Sequence, residues 1–440
     1  MGSARAVEDG SGHRSGGAAR RGRRRGIRGG LLAASVGSVL LLASACSSSS
    51  GVSGGAIGEA ASHAPVGGGS GATGSPSAAP TEAVSKAVVS ILPRTGSTDV
   101  GTTGALRVSA VSGRLTSVKV TNSDGSPATG SMAADGGSWT PSGALRTDAR
   151  YTVSATAVDS AGLPVTETST FTTMTPGSVN AGEYNIDPGA TYGVGMEVSI
   201  TFLQPVSPSD RAAVQRAITV TADPGVPVAG HWFGDDRIDF RPQSYWAADT
   251  RVTLHMDLDG VETSPGVYDT QYKDVDFTIG RNQTSVANDT AHTLTVYRNG
   301  SVVRTIPATL GQAGDDTWEG IMVISQKYQS IDMNAETVGL GDAYNIPDVP
   351  HAMRLTTSGT FVHGNYWRPA SVFGSENTSH GCIGLQDVEG GGDSSTPAAW
   401  FYDNSLIGDV VQVVGSPSAT VQPDNGLNGW NMSWADWTAN

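Results

Sequence analysis

Phe361-Val362-His363-Gly364-Asn365-Tyr366-Trp367, followed a short way downstream by Ser379-His380-Gly381-Cys382, carries the chemistry of this chain. Cys382 is one of two cysteines in 440 residues. A thiol with a histidine at a short upstream interval has the makings of a nucleophile and its base. The thiol must lose its proton to attack a carbonyl, and a free cysteine with a pKa of about 8.5 is mostly protonated near neutrality. A neighbouring imidazole removes that obstacle by taking the proton and holding the thiolate as an ion pair. His363 is the better base, because Phe361-Val362-His363 reads as a strand that can face the cysteine from a distance in sequence. His380, two residues before the sulfur, remains open as a base. Gly381 allows a tight turn, so that the amides flanking the sulfur can face a substrate oxygen. The plainer reading is a strand histidine and an inert buried cysteine.

Other chemistries have thinner support. His363, His380 and Cys382 have the ligand types of a zinc site, but no close ligand pair accompanies them, and no metal is expected. No Gly-rich loop leads into a helix, and no Gly-x-Ser-x-Gly elbow occurs. His231, His255, His292 and His351 lack motif context and read as structural.

Outward from this stretch the chain reads as mostly β. Leu294–Tyr297, then Asn299-Gly300, then Val302–Arg304 predicts a hairpin with a type I′ turn. Further strands are expected at 321–324, 354–357 and 410–414, and a short helix over 397–404 with Pro397 at its start. Upstream, Leu106-Val108-Ala110, Val118-Val120 and Tyr151-Val153-Ala155-Ala157 alternate between turns rich in Gly, Asp, Pro and Ser. Val198-Ile200-Phe202, Ile238-Phe240 and Val252-Leu254-Met256-Leu258 repeat the plan. Such short alternating strands predict two antiparallel sandwiches, over 84–176 and 177–280. Beyond Gly415, Trp430, Trp434 and Trp437 are spaced to line one face of a helix. Residues 416–440 therefore read as a Trp-rich tail packing on the preceding domain, with carbohydrate stacking as the alternative.

The N-terminus reads as an export signal over 1–45. An arginine-rich region from Arg20 to Arg28 precedes an uncharged apolar run too short for a membrane span, which needs about 20 residues. Leu42-Ala43-Ser44-Ala45-Cys46 resembles a bacterial lipobox, whose cysteine is diacylated and becomes the mature N-terminus. An uncleaved anchor helix is the alternative, and both place the bulk of the chain outside the cytoplasm. Residues 46–83 are Ser, Gly, Ala and Pro with few large apolar side chains, the composition of a flexible tether. The chain carries a formal charge of −14. Removing the eight arginines, Glu8 and Asp9 of residues 1–45, a net of +6, leaves −20. So acidic a body excludes nucleic acid as a natural partner. With Cys46 lipidated, Cys382 has no disulfide partner in an oxidising compartment, and catalysis supplies a reason for a free thiol there.

The array of His363 and Ser379-His380-Gly381-Cys382 resembles the active-site signature of the L,D-transpeptidases, bacterial cell-wall enzymes with a YkuD-type catalytic domain. The resemblance runs in detail from Arg281 to Gly415 and implies a β-rich catalytic domain over 281–415 with its cysteine on a loop. The sandwiches resemble the immunoglobulin-like domains that precede this domain in actinobacterial members. It implies Cys382 as nucleophile and His363 as base, oriented by the carbonyl of Gly364, where a serine is common. His380 would brace the loop by hydrogen bonds together with Ser379 and Gly381. Met333 and Trp367 would line the acyl-donor pocket, and Tyr344 would lie near the oxyanion as part of a lid. Gly384 departs from the family, which often has Asn or Arg there.

The implied partners are peptidoglycan stem peptides, as tetrapeptide donor and as acceptor, with carbapenem β-lactams as covalent inhibitors. The implied reaction is a 3→3 cross-link with release of D-alanine and no cofactor, on a protein lipid-anchored to the outer face of the cytoplasmic membrane. An L,D-carboxypeptidase, or a wall-binding surface protein that has lost catalysis, is the rival reading.

Overall fold

The computed structural model describes residues 83–338, 341 and 344–439. The expected signal and Cys46 lie outside the described residues. The first sandwich faces a sheet of Val88–Leu92, Arg107–Val111, Ser138–Pro141 and Gly130–Met132 against one of Ser97–Val100, Pro164–Thr173, Arg150–Asp159 and Gly113–Asn122. The alternating sequence produces this directly: along Arg150–Asp159 every second side chain, from Tyr151 to Ala157, is buried. The second sandwich pairs Val198–Phe202 with Arg237–Pro242, and Ile218–Asp223 with Arg251–Asp257. It also contains a helix, Arg211–Arg216, which its sequence did not predict. Val214 is the one buried side chain of that helix, too few to give a period.

The third unit is built on one nine-stranded sheet. In spatial order its strands are Gly320–Val323, Val410–Val414, Gln283–Asn288, Thr293–Arg298, Ser301–Thr309, Ile383–Gln386, Phe361–Asn365, Asn345–Arg354 and Gln326–Asn334. The predicted hairpin forms at Asn299-Gly300, with φ of 50° and 76°, the pair of positive values a type I′ turn demands. The strand expected at 354–357 is displaced. Arg354 ends a long strand beginning at Asn345, and Thr356–Thr360 is a tight turn. The helix Pro397–Asp403 starts where Pro397 predicts, capped by the Thr396 side chain, which accepts from the Ala399 amide at 3.2 Å.

The tail does not place its tryptophans along one helix. Trp430 lies in a 3₁₀ turn, Gly429–Asn431, and Trp434 and Trp437 bound a separate four-residue helix. All three rings converge on the guanidinium of Arg241, at 4.8, 5.5 and 4.2 Å. Arg241 belongs to the second sandwich, and its Nη2 donates to the carbonyls of Gly429 and Met432 at 3.1 Å each. The tail therefore docks on the second sandwich as well as on the catalytic unit. On the catalytic side, Asn431 exchanges hydrogen bonds with Ile321, and Asn428 accepts from the Val323 amide. Trp437 is wholly buried, and the partly buried Trp430 and Trp434 pack against the same cation.

Candidate active site

The strand of His363 and the strand that follows Cys382 lie side by side and run parallel, with Val362 opposite Ile383 and His363 opposite Gly384. Val362 and Ile383 enter the core, so the alternation of a strand turns His363 and Cys382 to the opposite face together. The connection between them is pinned to the end of Ser301–Thr309. Thr309 Oγ1 donates to the Glu376 carbonyl at 2.8 Å and accepts from the Thr378 amide at 3.0 Å. The Gln312 amide donates to the Ser379 carbonyl at 2.9 Å.

Within the cysteine loop, Ser379 Oγ donates to the Cys382 carbonyl at 2.6 Å and accepts from the Gly381 amide at 3.2 Å. Gly381 has φ of 106°, a conformation that favours glycine. Ser379 thus clamps the turn. The Gly381 amide is engaged by that clamp, which removes one of the two amides expected to face a substrate oxygen. His380 differs from expectation as well. It is exposed and makes no hydrogen bond among the described residues, and its ring rests against Tyr344 with centroids 5.2 Å apart. An exposed imidazole without a hydrogen-bond partner cannot brace the loop in the way expected.

Met333, Tyr344, His363, Trp367, Ser379, His380 and Cys382 all line one cavity of about 150 Å³. Ile346, Asn365, Arg368 and Thr378 line it too and were not anticipated. Trp367 stacks on the His363 ring at 5.5 Å and 15°. His363 Nδ1 donates to the carbonyl of Gly364 at 2.9 Å, which leaves Nε2 as the acceptor.

Asn365 stands where the Gly384 departure makes room. A methyl group built on Gly384 would meet Thr309 Cγ2 at 2.9 Å and Asn365 Nδ2 at 3.2 Å. Asn365, from the neighbouring strand, thus lies in space that a side chain at position 384 would need. Asn365 Oδ1 accepts from the Arg368 amide at 3.1 Å. Its place in the quoted motif, two residues after the histidine, was the available signal.

The electrostatics correct one expectation. Burial pushes the Cys382 thiol up to about 11, against the Phe361 amide and the Arg354 charge, which pull it down. Burial also lowers His363, opposed by its bond to the Gly364 carbonyl and by the Asp387 charge. The thiol donates to the Gly359 carbonyl at 3.7 Å, and no hydrogen bond joins it to His363 among the described residues. A thiol moved up and an imidazole moved down both favour the neutral pair over a standing ion pair. Tyr344 is raised to about 12 by burial and by the neighbouring Cys382, so its hydroxyl keeps a proton to donate. Among the described residues no cluster of three metal-ligating side chains occurs.

Residues 97–262 match the model of the bacterial Ig domain, and residues 282–413 match that of the L,D-transpeptidase catalytic domain. The chain is 32% identical to L,D-transpeptidase 2 of Mycobacterium tuberculosis (strain CDC 1551 / Oshkosh) over 349 residues, spanning 78% of this chain and 82% of that protein. L,D-transpeptidase 5 of Mycobacterium tuberculosis (strain ATCC 25618 / H37Rv) is 31% identical over 355 residues, or 79% and 75% of the two chains. The solved structure of LD transpeptidase LdtMt1 in complex with imipenem shares 32% identity, with a TM-score of 0.45 over 55% of this chain and 100% of that one. With relatives of that identity and coverage, this chain belongs to the L,D-transpeptidase family, the enzymes that cross-link peptidoglycan stem peptides.

Proposed function

We propose that Cys382 is the nucleophile of this transpeptidase and His363 its base, working in the cavity bounded by Tyr344, Trp367 and Asn365. The observation that carries the reading is that both reactive side chains open into that one cavity, with His363 Nδ1 tied to Gly364 and Nε2 left to accept. A donor tetrapeptide enters with the carbonyl of its third residue over the sulfur. Sγ–H gives its proton to Nε2 as the S–C bond forms, and the carbonyl oxygen becomes an oxyanion. The Tyr344 hydroxyl, kept protonated, and the Cys382 amide are the donors available to it, and the loss of one such donor elsewhere costs about 3–4 kcal/mol. Collapse of the oxyanion expels D-alanine, whose amine takes the proton from Nε2. The side-chain amine of an acceptor stem then attacks the thioester, losing its proton to Nε2, and the sulfur leaves as a thiol. The two stems end joined through their third residues.

The purified full chain, given disaccharide-tetrapeptides bearing a diamino acid, should produce a dimer. Its mass should be that of two substrates less one D-alanine, and tandem mass spectrometry should find the bond between the two third-position residues. A tripeptide without dimer would assign the protein to L,D-carboxypeptidase instead. The relative solved with imipenem makes carbapenems the natural inhibitors to try, and each should leave a covalent adduct on Cys382.

The reading includes export and lipid attachment at Cys46, supported by the lipobox-like run Leu42–Cys46 behind an arginine-rich leader. Cys46→Ala should release the protein from the membrane fraction or halt its maturation. Full membrane retention of that variant with an intact leader would favour an anchor helix.

A further inference from the structure

Behind His363 lies a second buried histidine and carboxylate, His351 and Asp387, which the reaction described above does not use. His351 is 6% exposed and Asp387 7%, and His351 Nδ1 lies 2.7 Å from Asp387 Oδ2. Asp387 Oδ1 accepts from Thr396 Oγ1 at 2.9 Å and from the Val388 amide at 2.8 Å. Thr396 Oγ1 also accepts from the Ala399 amide, which commits its hydroxyl proton to Asp387. A helix cap and the following turn thus donate to Oδ1, while the His351 ring nitrogen from a strand meets Oδ2, so both oxygens are held in place.

The carboxylate packs directly against the histidine strand at Gly364. A methyl group built on Gly364 would collide with it, reaching Cγ of Asp387 at 2.8 Å. Only a residue without a side chain admits Asp387 there without displacement. Gly364 is also the residue whose carbonyl holds His363 Nδ1. The glycine that departs from the family's common serine therefore brings a negative charge behind the base.

We infer that Asp387, held by His351 and admitted by Gly364, is a positioning residue that supplies the negative charge against which His363 accepts the thiol proton. The inference rests on His363 being the base. In the step concerned the S–H bond breaks, an N–H bond forms at Nε2, and the electron pair stays on sulfur. Asp387 takes no proton and keeps its charge throughout. The need follows from the neutral resting pair, since separating charge in a buried site is unfavourable unless something nearby favours the imidazolium. Gly364's carbonyl dipole and the Asp387 charge are the two influences that do so. The charged and titratable groups around the pair can be named. His363 and Cys382 share their cavity with Tyr344, His380 and Arg368, and His363 has Asp387 behind it across Gly364. Cys382 also feels Arg354, and Asp387 meets His351, against which Tyr402 packs.

The test is the rate of carbapenem acylation of Cys382 in the full chain, followed by intact mass across the acid and neutral pH range. Asp387→Asn keeps shape and removes charge. Its plateau rate should fall roughly three- to tenfold as the base weakens by about one pKa unit. The midpoint of its acid limb should move to lower pH. Asp387→Glu should recover part of the rate. A merely structural Asp387 predicts the opposite shift, because loosening the site would hydrate His363 and move the midpoint up toward about 6.5. That upward shift, or an unchanged profile, overturns the inference.

If Asp387→Asn does not fold, Gly364→Ala tests the same contact from the other side. A side chain is commonplace there in the family, and the methyl group displaces the carboxylate. It should slow acylation with the same downward shift, and an unchanged profile would end the proposal. His363→Ala separates the two layers of the argument. If it acylates like the native protein, the base assignment fails. If it is slow while Asp387→Asn is native-like, only the role of Asp387 is lost.

Discussion

Cys382→Ser is expected to abolish both the dimer and the carbapenem adduct, with at least about a 10³-fold loss of turnover. The serine hydroxyl would occupy the same loop, with Ser379 still clamping the turn and Gly381 still at positive φ. Its intrinsic acidity is far below that of a thiol, and burial that already moves the thiol up to about 11 would move a hydroxyl further. His363, itself lowered by burial, is too weak a base to carry that proton. Binding should survive, because the lining from Met333, Trp367 and Asn365 is untouched. The variant should therefore hold a donor stem or a carbapenem reversibly without forming a bond, which calorimetry and intact mass together would register. Continued dimer formation by Cys382→Ser would mean that the nucleophile lies elsewhere, and the proposed mechanism would fail with it.

How much of this site was legible depended on which residues announce themselves by pattern. Cys382 and His363 did so by type and spacing, and Pro397 and Asn299-Gly300 marked a helix start and a turn by backbone chemistry alone. The alternating strands of the sandwiches were legible for the same reason, a period of two against a buried face. The long hairpin of Gln326–Asn334 and Asn345–Arg354 was not. Its first strand buries no side chain fully, while its second buries five in succession from Val349 to Met353, so neither shows a period. The sequence pattern therefore points to a strand at 354–357, later than the one that forms.

Contacts made through space stayed invisible in the sequence. His351 lacked motif context and read as structural, yet it meets a carboxylate from beyond the cysteine strand. Arg241 gave no sign that three tryptophans from the far end of the chain would close over it. Gly364 and Gly384 were legible as departures from a pattern, but their consequences were not. Each vacates a volume that a distant side chain fills, Asp387 in one case and Asn365 in the other. A glycine read alone says only that a side chain is missing. The structure says what took its place.

His363→Ala should slow acylation and dimer formation by about 10²–10⁴-fold near neutral pH, the range a positioned general base contributes. The resting pair is neutral, so the imidazole's task is to take the proton as the S–C bond forms. In the native protein the rate should rise as His363 loses its proton, below the ordinary histidine value because burial lowers it, and then stay level. Without His363 that acid limb should vanish. The rate should instead climb with hydroxide until Cys382 ionises on its own, near the value of about 11 to which burial moves it. The deficit should therefore shrink steadily toward alkaline pH. Removing the ring leaves a space beside Trp367, which stacked on it at 5.5 Å, and added imidazole should enter and restore part of the neutral-pH rate. A variant that retains the native acid limb would show another group acting as base, with the exposed ring of His380 the next to test. A uniform deficit at all pH values, without rescue, would mean that His363 holds the cavity's shape and moves no proton.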